Sequence, residues 1–200
     1  MDAPEAVLEE VGRDYEKTLV VPEVKPSPQW MLMPVGLIGS GKTTVVKPLA
    51  KHFGLIRVST DEIREQLKQR GYTYKGAREI AHELTKKYLR LGYSIAVDGN
   101  TGSMTGLEYN KKTAEAFPHV QQLFIHINPP DKFVIDKLNK YPHTWLYKDG
   151  SHAVDNFLTN KKNFTLPNLS FVYTFDTAKE NLPSQLDEAI KTIDAVLSSK

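Results

Sequence analysis

The run Gly36-Leu37-Ile38-Gly39-Ser40-Gly41-Lys42-Thr43 constrains this chain more than any other stretch, because it fits the pattern G-x-x-x-x-G-K-[ST] at every fixed position. A polyphosphate tail carries dense negative charge. A site for it needs many backbone N–H donors converging on one point, with no side chains in the way. Gly36, Gly39 and Gly41 clear that approach, and Ser40 and Thr44 complete the set expected around the phosphates. Lys42 is the expected point charge on the β- and γ-phosphates, and the Thr43 hydroxyl is the expected protein ligand of Mg²⁺. The pattern has meaning only between a strand and a helix. Trp30-Met31-Leu32-Met33-Pro34-Val35 is apolar enough for a buried parallel strand, and Thr44 to Phe53 reads as a helix whose N-terminus faces the phosphates. Two prolines jar: Pro34 near the strand's end, and Pro48 inside the helix, where it removes one hydrogen bond.

Downstream the pattern strand, loop, helix recurs. Strands are expected at 55–59, 94–98, 122–127 and 171–175, and helices at 61–69, 77–91, 105–117, 131–138 and 183–198, with a short helix at 152–162. Such alternation means an α/β fold, a parallel sheet with helices on both faces, whose ligands sit at the carboxyl ends of the strands. The three most chemical pieces, 36–43, 59–64 and 98–101, all follow strands at that edge. Residues 1–18 could form an amphipathic helix on Leu8, Val11 and Tyr15, and Pro22, Pro26 and Pro28 make an extended connector. The domain division is thus an N-terminal appendage, 1–28, that either packs back or moves freely, and a core, 29–200.

Two hundred residues suit one domain. No apolar run approaches the ~20 residues of a membrane helix, and residues 1–28 lack the pattern of a secretory signal, so no membrane partner is expected. Without cysteine there are no disulfides or thiolate metal sites, and a cytoplasmic location is the default expectation. Residues 1–28 carry seven acids against Arg13, Lys17 and Lys25, a balance of −4, which leaves +6 on the remaining chain. That excess suits a domain that handles phosphates and suits a solvated lysine-rich surface equally.

In Ser59-Thr60-Asp61-Glu62-Ile63-Arg64, Asp61 is placed to orient a hydroxyl and accept its proton during phosphoryl transfer. Arg64, one turn later, is placed to bind a phosphate already on the acceptor. The same residues also make an ordinary helix N-terminus, with acids at the positive end of the dipole. Asp98 closes Ser94-Ile95-Ala96-Val97 as the acid of a second nucleotide-binding motif would, holding Mg²⁺ through water. Its other reading is a cap on the turn Gly99-Asn100-Thr101.

These segments, in this order and at these separations, resemble the P-loop kinases of the 5′-hydroxyl polynucleotide kinase group, which includes zeta-toxin-like and small-molecule kinases. The resemblance spans roughly residues 31–176 and implies a P-loop NTPase three-layer sandwich, with a five-stranded parallel sheet of order 2-3-1-4-5 and a lid after the fourth strand. It implies ATP and Mg²⁺ as cofactors, with Lys42 and Thr43 on ATP·Mg²⁺, Asp61 as general base, Arg64 on the acceptor's phosphate and Asp98 supporting Arg64. Family lids also carry arginines, whereas the last arginine here is Arg90. Lys137 and Lys140 are then the candidate catalytic cations, although a lysine cannot form the planar fork of a guanidinium. A partner protein that supplies an arginine is the other remedy. Tyr72 and Tyr74 on the acceptor side, and Tyr141, Trp145 and Tyr147 in the lid, are placed either to stack on a base or to fill space beneath a loop. The six histidines read as surface or packing residues.

The expected function is transfer of the γ-phosphate of ATP to a hydroxyl. The acceptor is a nucleic-acid 5′ end, a nucleotide, a nucleotide sugar or a small metabolite. The alternative is an ATP-binding regulatory or interaction module with a catalytically weakened lid.

Overall fold

The computed structural model describes residues 1–199. Its centre is β1 (Trp30–Val35), six residues buried without interruption. Along β1, Met31 and Met33 enter one core while Trp30 and Leu32 enter another, the period of two expected of a strand covered on both faces. Around it lie β2 (Ile56–Ser59), β3 (Ile95–Asp98), β4 (Gln121–Ile127) and β5 (Phe171–Phe175), in the order β2-β3-β1-β4-β5, with every pairing parallel. This is the three-layer sandwich expected of a P-loop NTPase.

The helices are α1 (Glu5–Glu16), α2 (Lys42–His52), α3 (Thr60–Gln69), α4 (Ala77–Arg90), α5 (Met104–Ala116), α6 (Asp131–Lys140), α7 (Gly150–Asn163) and α8 (Leu182–Ser198). Apolar residues of α1, α3 and α4 share one core with the sheet, and those of α2 and α8 share the other. A third cluster, built from α6, α7 and Tyr147, forms a lid after β4 that rests on Leu37 and Ile38 of the glycine-rich loop. Among the described residues no helix is long and apolar enough to cross a membrane.

Both prolines find a local explanation. The ladder between β1 and β3 covers only Met31↔Ile95 and Leu32↔Ala96, so it has ended before Pro34. The Pro34 carbonyl accepts from the Thr101 N–H (3.1 Å) and hydroxyl (2.7 Å), which places its nitrogen on the same, released side. Pro48 sits within α2, and the carbonyl it leaves free belongs to Thr44 in the exposed first turn.

Of the two dispositions open to residues 1–18, the packed one is found. Val11 and Tyr15 are fully buried against α3 and α4. The acids of the segment face bases of the core, with Asp14 on Arg70 (2.6 Å), Glu16 on Lys87 (2.6 Å) and Asp2 on Lys75 (2.8 Å). The Tyr15 hydroxyl accepts the buried N–H of Ser59 at 2.6 Å, at the entry to α3. Burial pushes the Tyr15 pKa well above that of an ordinary phenol, so it stays neutral. Tyr15→Phe therefore strands a buried donor and is expected to lower stability by about 1–3 kcal/mol, read by urea unfolding. A loss below the range of surface substitutions would remove Tyr15 from the support of α3.

Candidate active site

The loop between β1 and α2 is held by its glycines. Gly39 (φ 75°) and Gly41 (φ 92°) occupy the left-handed region, and a Cβ at Gly36 would lie 2.7 Å from the Ile127 carbonyl oxygen. Thr177 braces the loop from the far side, its hydroxyl donating to the Ser40 carbonyl at 2.7 Å. Lys42 folds over the loop and donates to the Gly36 (3.1 Å) and Leu37 (2.8 Å) carbonyls. Burial pulls its pKa below the usual lysine value, opposed by the charges of Asp61 and Asp98. The buried Ser40 hydroxyl has no partner. An orphaned hydroxyl, a lysine resting on loop carbonyls and backbone free of side chains fit a polyphosphate.

At the base of the loop, the Thr43 hydroxyl donates to Asp98 Oδ1 at 3.0 Å. Asp98, 3% exposed, also accepts from Arg57 Nη1 at 2.6 Å, and Arg57 Nη2 reaches Glu62. Burial pushes the Asp98 carboxyl above the usual carboxylate range, with Arg57, Thr43 and Lys42 pulling it back. A hydroxyl beside a carboxylate is the oxygen donor pair expected of a Mg²⁺ site that keeps several waters. Arg57 was not foreseen. The register pairs Arg57 with Ala96 and Ser59 with Asp98, which puts Arg57 on the same sheet face as Asp98, one step back. The expectation that Asp98 supports Arg64 is corrected, because Asp98 is held by Arg57.

Arg64 instead donates to Asp61 Oδ1 at 2.9 Å, and its guanidinium lies 5.4 Å from the centre of the Tyr74 ring. Ser59 caps α3, its hydroxyl accepting the Glu62 N–H at 3.4 Å, so Asp61 is not the cap. Asn100 closes its own turn by accepting the Gly102 N–H at 3.2 Å.

Much of this opens on one cleft of about 810 Å³, although Gly36, Ser40, Arg57 and Asp98 do not line it. Lys42, Thr43, Thr44, Asp61, Arg64 and Lys137 line it. Lys140 does not; it is exposed and lies 5.1 Å from the centre of the Tyr141 ring. Burial lowers the Lys137 pKa. Tyr74, Tyr141, Trp145 and Tyr147 line the cleft and Tyr72 does not; Tyr147, whose pKa burial pushes up to about 12, donates to Asn156 Oδ1 at 3.1 Å. Arg78, for which no role was expected, and His82, expected as a surface or packing residue, also line the cleft, both on α4. Their spacing of four places them on one helical face, the signal that was present in the sequence.

Sheet order, glycine loop and the Lys42–Thr43–Asp98 arrangement define a P-loop nucleotide-binding domain. The chain belongs to the AAA_33 family of AAA domains, which it matches over residues 31–132. No curated protein sequence matches it. Among solved structures it is similar to one from the PezAT chromosomal toxin–antitoxin system of Streptococcus pneumoniae (TM-score 0.58, 17% identity, covering 100% of this chain and 99% of that one). A gluconokinase from Sinorhizobium meliloti 1021 matches with TM-score 0.58 and 16% identity, covering 86% of this chain and 95% of that one. The APS kinase CysC of Mycobacterium tuberculosis matches with TM-score 0.55 and 14% identity, covering 84% and 99%. At these identities the likeness is one of fold.

Proposed function

We propose that the chain is an ATP-dependent phosphotransferase that moves the γ-phosphate to a hydroxyl, within the group of P-loop kinases that its three segments resemble. The observation that carries this reading is the position of Asp61. Its charge acts on Lys42, it accepts from Arg64 at 2.9 Å, and all three line a single cleft. Solved structures of similar fold that are named as kinases support it.

In this reading the loop amides, Ser40 and Lys42 hold the phosphates, and Thr43 with Asp98 holds Mg²⁺, which neutralises charge on the β- and γ-oxygens when bound. Asp61 accepts the proton of the acceptor hydroxyl. The acceptor oxygen bonds to the γ-phosphorus as its bond to the β,γ-bridging oxygen breaks, and ADP leaves. Lys137 is the lid cation facing the transferred group. The second reading, a nucleotide-binding module without transfer, is favoured by one observation: the lid contributes no arginine, whereas arginine fingers supply about 10³–10⁵ in rate.

Labelled γ-phosphate offered with Mg²⁺ and a panel of 5′-hydroxyl DNA and RNA ends, nucleosides, nucleotide sugars and polyols separates the two. A labelled product establishes the transferase and its acceptor class. Nucleotide binding with no labelled acceptor, with or without added lysate as a source of a partner's arginine, establishes the module. Lys42→Ala is expected to weaken ATP binding about 100-fold in either case, since a buried, charge-assisted phosphate contact is lost. Calorimetry that found ATP affinity intact would discard the loop as the nucleotide site.

A further inference from the structure

Among the described residues, every helix except α5 adds side chains to a hydrophobic core. The buried residues of α5 are Asn110 and Thr113, both polar. Polar and backbone contacts pin it instead. Asn110 Nδ2 donates to the Thr101 carbonyl at 3.0 Å, Gln122 Nε2 donates to the Asn110 carbonyl at 2.9 Å, and a Cβ at Gly106 would lie 2.6 Å from the Thr101 carbonyl oxygen. The space that apolar side chains of α5 would have filled belongs to the cleft. Ala81 and Thr85 of α4 line it there, as do Asn110 and Thr113 of α5, with Met31, Met33 and Val97 of the sheet as the floor. His82 and Tyr109 join the two helices, their ring centres 4.5 Å apart.

This arm of the cleft differs in chemistry from the glycine loop. The hydroxyl protons of Thr85 and Thr113 are spent on the Ala81 and Tyr109 carbonyls, each at 2.8 Å. Burial holds His82 below the ordinary imidazole value, so it is neutral at neutral pH. Asn110 is 8% exposed, and no described residue donates to its Oδ1; the bond to Thr101 fixes which end of the amide is the oxygen. A buried acceptor that lines a cavity and lacks a donor is completed by a ligand that donates.

We propose that the arm between α4 and α5 receives the body of the acceptor, and that this body is a neutral, largely apolar ring with an amino or N–H group that donates to Asn110 Oδ1. The phosphorylated hydroxyl is carried on a short side arm of that ring, in the part of the cleft that Asp61 lines. That the ligand is the acceptor rests on the phosphotransferase reading. A polyol or sugar would set hydroxyls against Met31, Met33 and Val97, where each goes unmatched at a cost. A charged body would meet threonine, alanine and asparagine walls with no opposite charge to neutralise it. A flat ring instead lays its faces on apolar side chains, gains contact with the methionine sulfurs, and turns one edge to Asn110.

The test titrates 2-aminobenzyl alcohol, benzyl alcohol and ribitol by calorimetry into protein mixed with a non-hydrolysable ATP analogue and Mg²⁺. The expected result is that the amino compound binds, that benzyl alcohol binds about tenfold more weakly for the loss of one hydrogen bond, and that ribitol does not bind. Ala81→Leu and Thr113→Leu fill the arm from its two helices. Each is expected to weaken both ring alcohols by about tenfold or more, with analogue affinity unchanged and the melting midpoint not lowered, because a leucine entering open space displaces no neighbour. Ring binding that persists in both variants overturns the proposal, as does ribitol bound as tightly as the rings or equal affinity for the two ring alcohols. A midpoint lowered in both variants overturns it too, since the arm is then already filled. Analogue binding without ring binding overturns this proposal alone. Rings that bind in the expected pattern to a protein with no affinity for the analogue overturn the phosphotransferase reading, and with it the assignment of the ring as acceptor.

Discussion

Asp61→Asn is expected to lower phosphoryl transfer by about 10²–10⁴-fold, the range typical of a general base, while leaving ATP affinity within about twofold. The asparagine keeps an oxygen for Arg64 at the position that now accepts its Nη1 at 2.9 Å, so geometry is retained and basicity lost. Folding should be unaffected, because the cap of α3 is supplied by the Ser59 hydroxyl. Single-turnover transfer and equilibrium nucleotide binding, measured on the same preparation, separate the cases. Equal losses in both would make Asp61 a structural partner of Arg64, and unchanged transfer would remove it from the chemistry altogether.

The second large effect is one of stability. Arg57→Ala leaves the Asp98 carboxylate, 3% exposed, with only the Thr43 hydroxyl, and frees Glu62 as well. Removing one partner of a buried pair costs about 3–5 kcal/mol, which for a chain of this size lowers the thermal midpoint by roughly 10 °C. The pH dependence follows from Asp98. Its folded pKa lies above the ordinary carboxylate value because of burial, and losing Arg57 raises it further. An acid with a raised folded pKa favours the folded state as it protonates, so the deficit of the variant should shrink as pH falls from neutrality through that raised value. Asp98→Asn in the Arg57→Ala background should recover most of the loss at neutral pH. A melting curve for Arg57→Ala that coincides with wild type at neutral pH would show that the pair contributes nothing.

The contrast between Asp61 and Arg57 shows what was legible in the amino-acid sequence. Asp61 lies in a local pattern, strand end followed by a capped helix, and its neighbours along the chain are its neighbours in space. The order β2-β3-β1-β4-β5 was expected from the resemblance carried by three such local segments. Arg57 looks like the solvent-facing member of an alternating strand, and only the register of β2 on β3 reveals that its face is that of Asp98. The same holds for Lys137 and Lys140. Both sit near the end of α6, but Lys137 lines the cleft while Lys140, the last residue of the helix, is exposed outside it. Arg78 belongs to a helix whose apolar spacing was plain, while its place in the wall of the cleft is a property of packing. The lid helix α7 starts at Gly150, two residues earlier than its apolar pattern suggests, because Asp149 accepts the His152 N–H and caps it.

The hydrogen bond from the Ser59 N–H to Tyr15 joins a helix that lies outside the family-matched region to the turn that bears Asp61 and Arg64. Opening α1 therefore exposes a donor at the mouth of the cleft, and the two belong to one cooperative unit. Linkage makes this reciprocal: whatever orders the Asp61 turn must slow the opening of residues 5–16, and whatever grips those residues draws on the same free energy as the acceptor. The amino-terminal helix is, in that sense, a handle on a cleft it never touches.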